Sequence, residues 1–264
     1  MKKKYLKFSQ KVAKKAGLKL KESFRSENAD KRGTSKEVKS IFDHLMDDLI
    51  KKGIEKEFPE HSYLTEESGL VDKGGDFLWI IDPLDGTGNF ENHNPFYSVS
   101  ISLWRNGTPL LGVIEAPSLG ERFFGIVNEG SYRQDIETGQ RKRLNVSNED
   151  NLNNSYFIFC EGTEKSNERI IANFEEVYSK TKDFRKIGSA AIELAWIASA
   201  RAEGYLTYNI PIWDIAAGIV ILNEAGGSLY DSSKELIEID ELSVDDKIDL
   251  LATNGEIELN FNLQ

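Results

Sequence analysis

Residues 79–90, WIIDPLDGTGNF, restrict the folds open to this chain more than any other stretch. The apolar run from Phe77 to Ile81 has the composition of a strand buried on both faces. It leads into Asp82-Pro83-Leu84-Asp85-Gly86-Thr87-Gly88-Asn89. Pro83 cannot donate to a sheet ladder, and Gly86 and Gly88 permit a tight turn, so the strand is expected to stop there. Two carboxylates are thereby carried to the end of a buried strand, followed by small residues whose amides can face an anion. Desolvating two acids on an apolar element is unfavourable unless a partner compensates them. The segment reads as a metal site beside a phosphate seat.

A chain of 264 residues can bury a full core in one or two closely packed domains. Lys and Arg number 33 against 44 Asp and Glu, a net charge of -11, which argues against a nucleic-acid scaffold and suits a protein that gathers cations. Cys160 is the single cysteine, so an internal disulfide is excluded and a reducing compartment fits. The basic start MKKKYLKFSQ lacks the apolar stretch of a signal peptide, and no apolar run reaches the ~20 residues of a membrane span. A cytoplasmic, soluble protein is expected.

Around the central segment, Phe8, Val12, Ala16 and Leu20 predict a helix over 5–24 that packs one face on the body of the protein. Residues 22–34 read as a loop. A second helix is expected over 35–58, with Val38, Ile41, Phe42, Leu45, Leu49 and Ile54 as its apolar stripe and Asp43 beside it. Glu66 and Glu67 fall in a turn after a short strand. Alternating runs at 97–104, 109–115 and 121–127, with Asn106-Gly107 and Glu129-Gly130 turns, predict an antiparallel block. The polar stretch 141–154 is the candidate domain boundary, dividing 1–145 from 146–264. Beyond it come strands at 156–160, 204–208 and 250–253. Helices are expected near 167–178, from the Gly188-Ser189-Ala190-Ala191 segment to about 200, and after Asp214, the last stopped by Gly226-Gly227.

Glu66, Asp82 with Asp85, and Asp214 all stand where an apolar element ends. Oxygen ligands favour hard divalent ions, Mg²⁺ first and then Mn²⁺ or Ca²⁺. His44, His61 and His93 have no paired spacing of a zinc site, and His61 and His93 read as loop residues. No GxxxxGK[ST] is present. An aspartyl nucleophile of the DxDxT kind is excluded because Pro83 stands two residues before Asp85. Direct attack by a metal-activated water is the mechanism left.

These segments resemble the inositol monophosphatase family of Mg²⁺-dependent, lithium-sensitive phosphatases. The likeness lies in Glu66-Glu67-Ser68, in 79–90, in 213–227 (WDIAAGIVILNEAGG), in the Gly188-Ser189-Ala190-Ala191 segment and in Ala252-Thr253-Asn254-Gly255. It implies a layered αβαβα fold of the α+β sugar-phosphatase type and a homodimer. By the same resemblance, Glu66, Asp82 and the Leu84 carbonyl would hold one metal, and Asp82, Asp85 and Asp214 a second. A third ion would lean on Glu66, with inhibition by Li⁺ and Ca²⁺. Asp43 and Thr87 would orient and deprotonate the attacking water, the Gly86 and Thr87 amides would seat the phosphate, and Ala190 would line the alcohol pocket. Residues 1–145 would then carry most metal ligands and the phosphate seat, and 146–264 would supply Asp214 and the substrate pocket. Three departures stand out: Gly88 replaces a threonine, Glu37-Val38-Lys39-Ser40 replaces the usual upstream stretch, and Thr207 replaces a glutamate that holds substrate hydroxyls. Altered polyol recognition is expected. Fructose 1,6-bisphosphate or 3′-phosphoadenosine 5′-phosphate are alternative substrates, with Arg185-Lys186 a candidate for a second phosphate. A non-catalytic regulatory partner and a structural Ca²⁺ site are the competing classes.

Overall fold

The computed structural model describes residues 2–24, 35–162, 168–231, 233–244 and 247–259, and for 35–40 the backbone alone. The expected loop over 25–34 and the Val38 side chain therefore lie outside the described residues. Two helices open the chain, α1 (Lys2–Ser23) and α2 (Ser35–Glu57). They lead into β1 (Ser62–Thr65), β2 (Gly69–Val71), β3 (Phe77–Asp85) and the short α3 (Thr87–Glu91). A meander follows: β4 (Ser98–Arg105), β5 (Thr108–Ala116), β6 (Glu121–Ile126), β7 (Gly130–Asp135) and β8 (Arg141–Arg143). The remainder alternates as β9 (Tyr156–Cys160), α4 (Glu168–Lys180), β10 (Asp183–Arg185), α5 (Ala190–Ala198) and β11 (Gly204–Pro211). It closes with α6 (Ile212–Asn223), β12 (Ser228–Tyr230) and β13 (Lys247–Thr253).

The strands form two mixed sheets, an eight-stranded one in the order β2-β1-β3-β4-β5-β6-β7-β8 and a five-stranded one in the order β10-β9-β11-β13-β12. Period-two alternation assigns the faces. Tyr63, Trp79, Ile81, Leu103 and Val113 pack with α1 and α2, whereas Leu64, Ile80, Trp104 and Ile114 pack with α5 and α6. In the second sheet Ile158, Tyr205 and Leu250 face α5 and α6, while Phe157, Phe159 and Leu206 face α4. The result is the αβαβα layering expected of the α+β class. The central layer is tight: a Cβ on Gly112 of β5 would strike the backbone of Ala217, so α6 lies directly on the first sheet.

Three local expectations change. The strand β3 does not stop at Pro83; it continues to Asp85 through an irregularity between Asp82 and Asp85, where Pro83 is spared a ladder bond. The inward face of α2 carries Asp43, Met46, Asp47, Ile50 and Ile54, while Ile41 and Leu45 are 57% and 54% exposed. Within the polar stretch, residues 141–143 form β8, paired with β7 at the edge of the first sheet. His61, read as a loop residue, is a core side chain. It stacks between Phe58 and Phe77, accepts the Trp79 indole N–H at 3.1 Å, and burial holds its pKa below the ordinary value.

Candidate active site

Strand alternation builds the site. Asp82 follows Ile80 by two residues and so points to the face covered by α6, whose first turn carries Asp214. Parallel pairing of β1 with β3 brings the turn after Thr65 beside the same strand end, and the Glu66 amide donates to the Ile81 carbonyl at 3.3 Å. These elements enclose a cavity of about 270 Å³. Glu66, Asp82, Leu84, Asp85, Gly86 and Thr87 line it on one side, and Ala190 and Asp214 on the other. No lysine or arginine is among the described residues lining it.

Asp82 is 2% exposed, and burial drives its pKa well above the usual carboxylate range. The charges of Glu66, Asp85 and Asp214 push it the same way, while the Leu84 amide, donating to Oδ1 at 3.0 Å, opposes. Asp85 is anchored differently. Its Oδ1 accepts the Ala190 amide at 3.1 Å, and its Oδ2 accepts the Ala191 amide at 3.3 Å, the Ser98 hydroxyl at 3.0 Å and the Ser189 hydroxyl. Burial raises it to about 6 against those four donors. Three of the four donors crowd Oδ2, so the carboxylate ties β3 to the start of α5, while Oδ1, with one donor for its two lone pairs, keeps acceptor capacity.

An all-oxygen donor set with no basic counter-charge fits a hard divalent ion. Among the described residues no three of these acids are drawn together closely enough to grip one ion as they stand. Glu66 is exposed on its turn, whereas Asp82 and Asp85 are buried.

Thr87 heads α3 and donates to the Leu84 carbonyl at 3.0 Å, with Asp43 Oδ1 at 3.5 Å from the same hydroxyl. Asp43 is 1% exposed, behind Thr87. Asn89 ties the motif to the second half of the chain by donating to the carbonyls of Phe96, Ile187 and Gly188. Arg185 pairs with Asp183, and Lys186 with Glu161, so both cations are committed to neighbours.

Thr207 is fully buried and is not among the lining residues. The polar groups that line that wall are Glu193 and Tyr205, with Cys160, none of them singled out by sequence motif. Glu193 reads as an apolar-helix residue, and only its position one turn into α5, facing β11, carries it inward. Burial and the charge of Glu193 push the Cys160 thiol up to about 11, so it is no thiolate nucleophile at neutral pH.

Burial raises Glu193 to about 7; the Asp85 charge adds to this, and the Gly188 and Ile187 amides and Tyr205 oppose. Its folded pKa exceeds the ordinary 4.5, so its contribution to stability is complete below pH 4.5 and lost as pH rises through about 7. The groups facing it are Tyr205, Cys160 and Asp85. Glu193→Gln stays neutral throughout, so the urea midpoint of the natural protein is expected to fall relative to the variant as pH rises from 4.5 through about 7. Parallel curves would remove the buried acid from the pH dependence.

The layered frame and the acid-lined cavity define the class, an α+β phosphomonoesterase. The model of the inositol monophosphatase family matches residues 1–260. A fructose-1,6-bisphosphatase/inositol-1-monophosphatase of Aquifex aeolicus is 32% identical over 232 residues, covering 85% of this chain and 84% of the relative. A protein named Nus factor SuhB, from Pasteurella multocida, is 36% identical over 194 residues, covering 72% and 70%. The solved inositol monophosphatase of Anabaena superposes with a TM-score of 0.80 at 30% identity, covering 96% of this chain and 92% of that one. The chain belongs to the inositol monophosphatase family, whose members are generally metal-dependent and act on small phosphorylated substrates. No helix among the described residues is long and apolar enough to cross a membrane.

Proposed function

We propose that the protein hydrolyses a small phosphate monoester, an inositol, sugar or polyol monophosphate, with Mg²⁺ and by direct attack of water. The observation carrying this reading is the convergence of Glu66, Asp82, Asp85 and Asp214 on one cavity without a basic side chain among the described lining residues. Glu66, Asp82, the Leu84 carbonyl, Asp85 and Asp214 would hold two or three ions. Such ions neutralise the ester dianion and lower the pKa of bound water. Thr87 and Asp43 form a proton relay: as Thr87 Oγ1 accepts a proton from the attacking water, its own passes to Asp43 Oδ1. The Gly86 and Thr87 amides face the phosphate, and Ala190 the alcohol portion. Residues 1–145 then carry the chemistry and 146–264 complete the ligand set and pocket, within a cytoplasmic homodimer.

Phosphate release from a panel of monoesters and bisphosphates, with Mg²⁺ and with added Li⁺, tests the reading. Mg²⁺-dependent, Li⁺-inhibited release is expected, and a folded protein releasing phosphate from no ester would favour the regulatory role suggested by the Nus factor relative. Commitment of Arg185 and Lys186 to Asp183 and Glu161 favours a monoester over a bisphosphate. Because the acids repel one another, Mg²⁺ at a hundredfold excess over its dissociation constant should stabilise the fold by about 2.7 kcal/mol. Unfolding curves that do not respond to Mg²⁺ would count against a metal site.

A further inference from the structure

Two acids on the buried face of α2 serve different neighbours. Asp43 and Asp47 stand four residues apart, on consecutive helical turns about 5.4 Å apart along the axis. Both are 1% exposed, on the same face as Met46, Ile50 and Ile54. Asp43 lies behind Thr87, whereas Asp47 meets the turn that carries Glu66. Its Oδ2 accepts the Ser68 hydroxyl at 2.5 Å and pairs with Lys51 Nζ at 2.7 Å. Lys51 Nζ also donates to Ser68 Oγ at 2.6 Å, which closes a cluster of three. The same turn is tied to β3 by the Glu66 amide on the Ile81 carbonyl, and to β1 by the Ser68 amide, which donates to Thr65 Oγ1 at 2.9 Å. The backbone of the turn is therefore held from three elements, while Glu66 itself stays exposed at the cavity.

A carboxylate is costly to bury unless it is paired and hydrogen-bonded. An apolar side chain would fill the position of Asp47 without that cost, as Met46, Ile50 and Ile54 do beside it. What the carboxylate adds is a directed hold on Ser68, two residues after Glu66. We propose that Asp47, Ser68 and Lys51 form a clamp that fixes the Glu66 turn for metal binding. From successive turns of one rigid helix, α2 then sets the spacing between Glu66 and the Asp43–Thr87 pair. The three are positioning residues, since none of them is among the described residues lining the cavity. A ligand whose backbone is already fixed loses less freedom when it closes on a cation, and outer groups that orient a ligand are typically worth ten- to a hundredfold in metal affinity. The inference rests on the Mg²⁺-dependent phosphatase reading above and adds what holds its exposed ligand in place.

The test titrates Mg²⁺ into the natural protein, Ser68→Ala, Ser68→Thr, Asp47→Asn and Asp48→Asn. Two midpoints are read, that of the Mg²⁺-induced rise in melting temperature without substrate and that of Mg²⁺-dependent phosphate release. Ser68→Ala changes an exposed side chain and no charge, so the fold is kept. Both of its midpoints are expected to rise about tenfold, with kcat close to the natural value at saturating Mg²⁺. Asp47→Asn should shift in the same direction, and Ser68→Thr, which keeps the hydroxyl, should restore the natural midpoints. Asp48→Asn removes an equal charge from a side chain that is 56% exposed and should leave them unmoved. Lower melting temperatures with unmoved Mg²⁺ midpoints would make the cluster a structural staple and overturn the clamp, as would an equal rise in Asp48→Asn. If the natural protein takes up Mg²⁺ but releases no phosphate, the phosphatase reading falls, and a tenfold shift of the melting midpoint in Ser68→Ala still upholds the clamp. A natural protein with no response to Mg²⁺ removes both.

Discussion

Asp82→Asn is expected to lower Mg²⁺-dependent phosphate release by about 10³-fold or more while leaving the fold intact. The charges of Glu66, Asp85 and Asp214 all push the Asp82 pKa up, on top of its burial. Converting it to an amide removes a full negative charge from the point where the cations must be held, and oriented electrostatics of this kind are worth several kcal/mol in a water-poor site. The variant is nearly isosteric, and its Oδ1 keeps the Leu84 amide as donor. Without metal it should be at least as stable as the natural protein, because one buried, repelled anion is gone. With Mg²⁺ the stabilisation should shrink sharply. Phosphate-release kinetics and melting curves with and without Mg²⁺ check both halves, and turnover near the natural level would remove Asp82 from metal holding.

Gly86→Ala is expected to destabilise the protein by about 2–5 kcal/mol and to disrupt the turn that carries Thr87. Gly86 has φ of +81, where an L side chain costs roughly 1–2 kcal/mol. A Cβ there would lie 2.6 Å from the Phe96 carbonyl and 3.2 Å from both the Gly188 carbonyl and Ser189 Cβ. Those atoms belong to backbone and to the residue that caps α5 against Asp85, so relieving the overlap moves both walls of the cavity, at about 1–3 kcal/mol more. Gly88 is the control: a Cβ there meets nothing within 4 Å. Gly88→Ala should therefore be neutral or slightly stabilising, since alanine favours a helix over glycine. Urea midpoints of the two variants decide the matter; similar values for both would mean that the Gly86 turn can rearrange.

Part of this site is written in short-range patterns. The run ending at Ile81, Pro83 and the two glycines forecast a buried strand delivering acids, and the strand is there, merely carried on to Asp85 by its irregularity. The α2 stripe was harder to read because Ile41 and Leu45 are apolar yet exposed, while Asp43 and Asp47 occupy the inward face. Periodicity counts hydrophobicity, and this helix buries acids for reasons that periodicity does not register. His61 was missed for a related reason: a histidine after Pro59 looks like loop until Phe58, Phe77 and Trp79 close around it.

By itself the sequence determined the family, the αβαβα layering and the elements that end in Glu66, Asp82, Asp85 and Asp214, because strand alternation, helix stops and turn chemistry depend on neighbours a few residues away. Only the tertiary structure decided that Asp85 would be held by Ser189, Ala190 and Ala191, more than a hundred residues downstream, and that Glu193 would stand at the cavity wall in place of Thr207. Those pairings depend on how α5 docks between the two sheets. Docking is fixed by the summed burial of many apolar side chains, which no single stretch of the chain encodes.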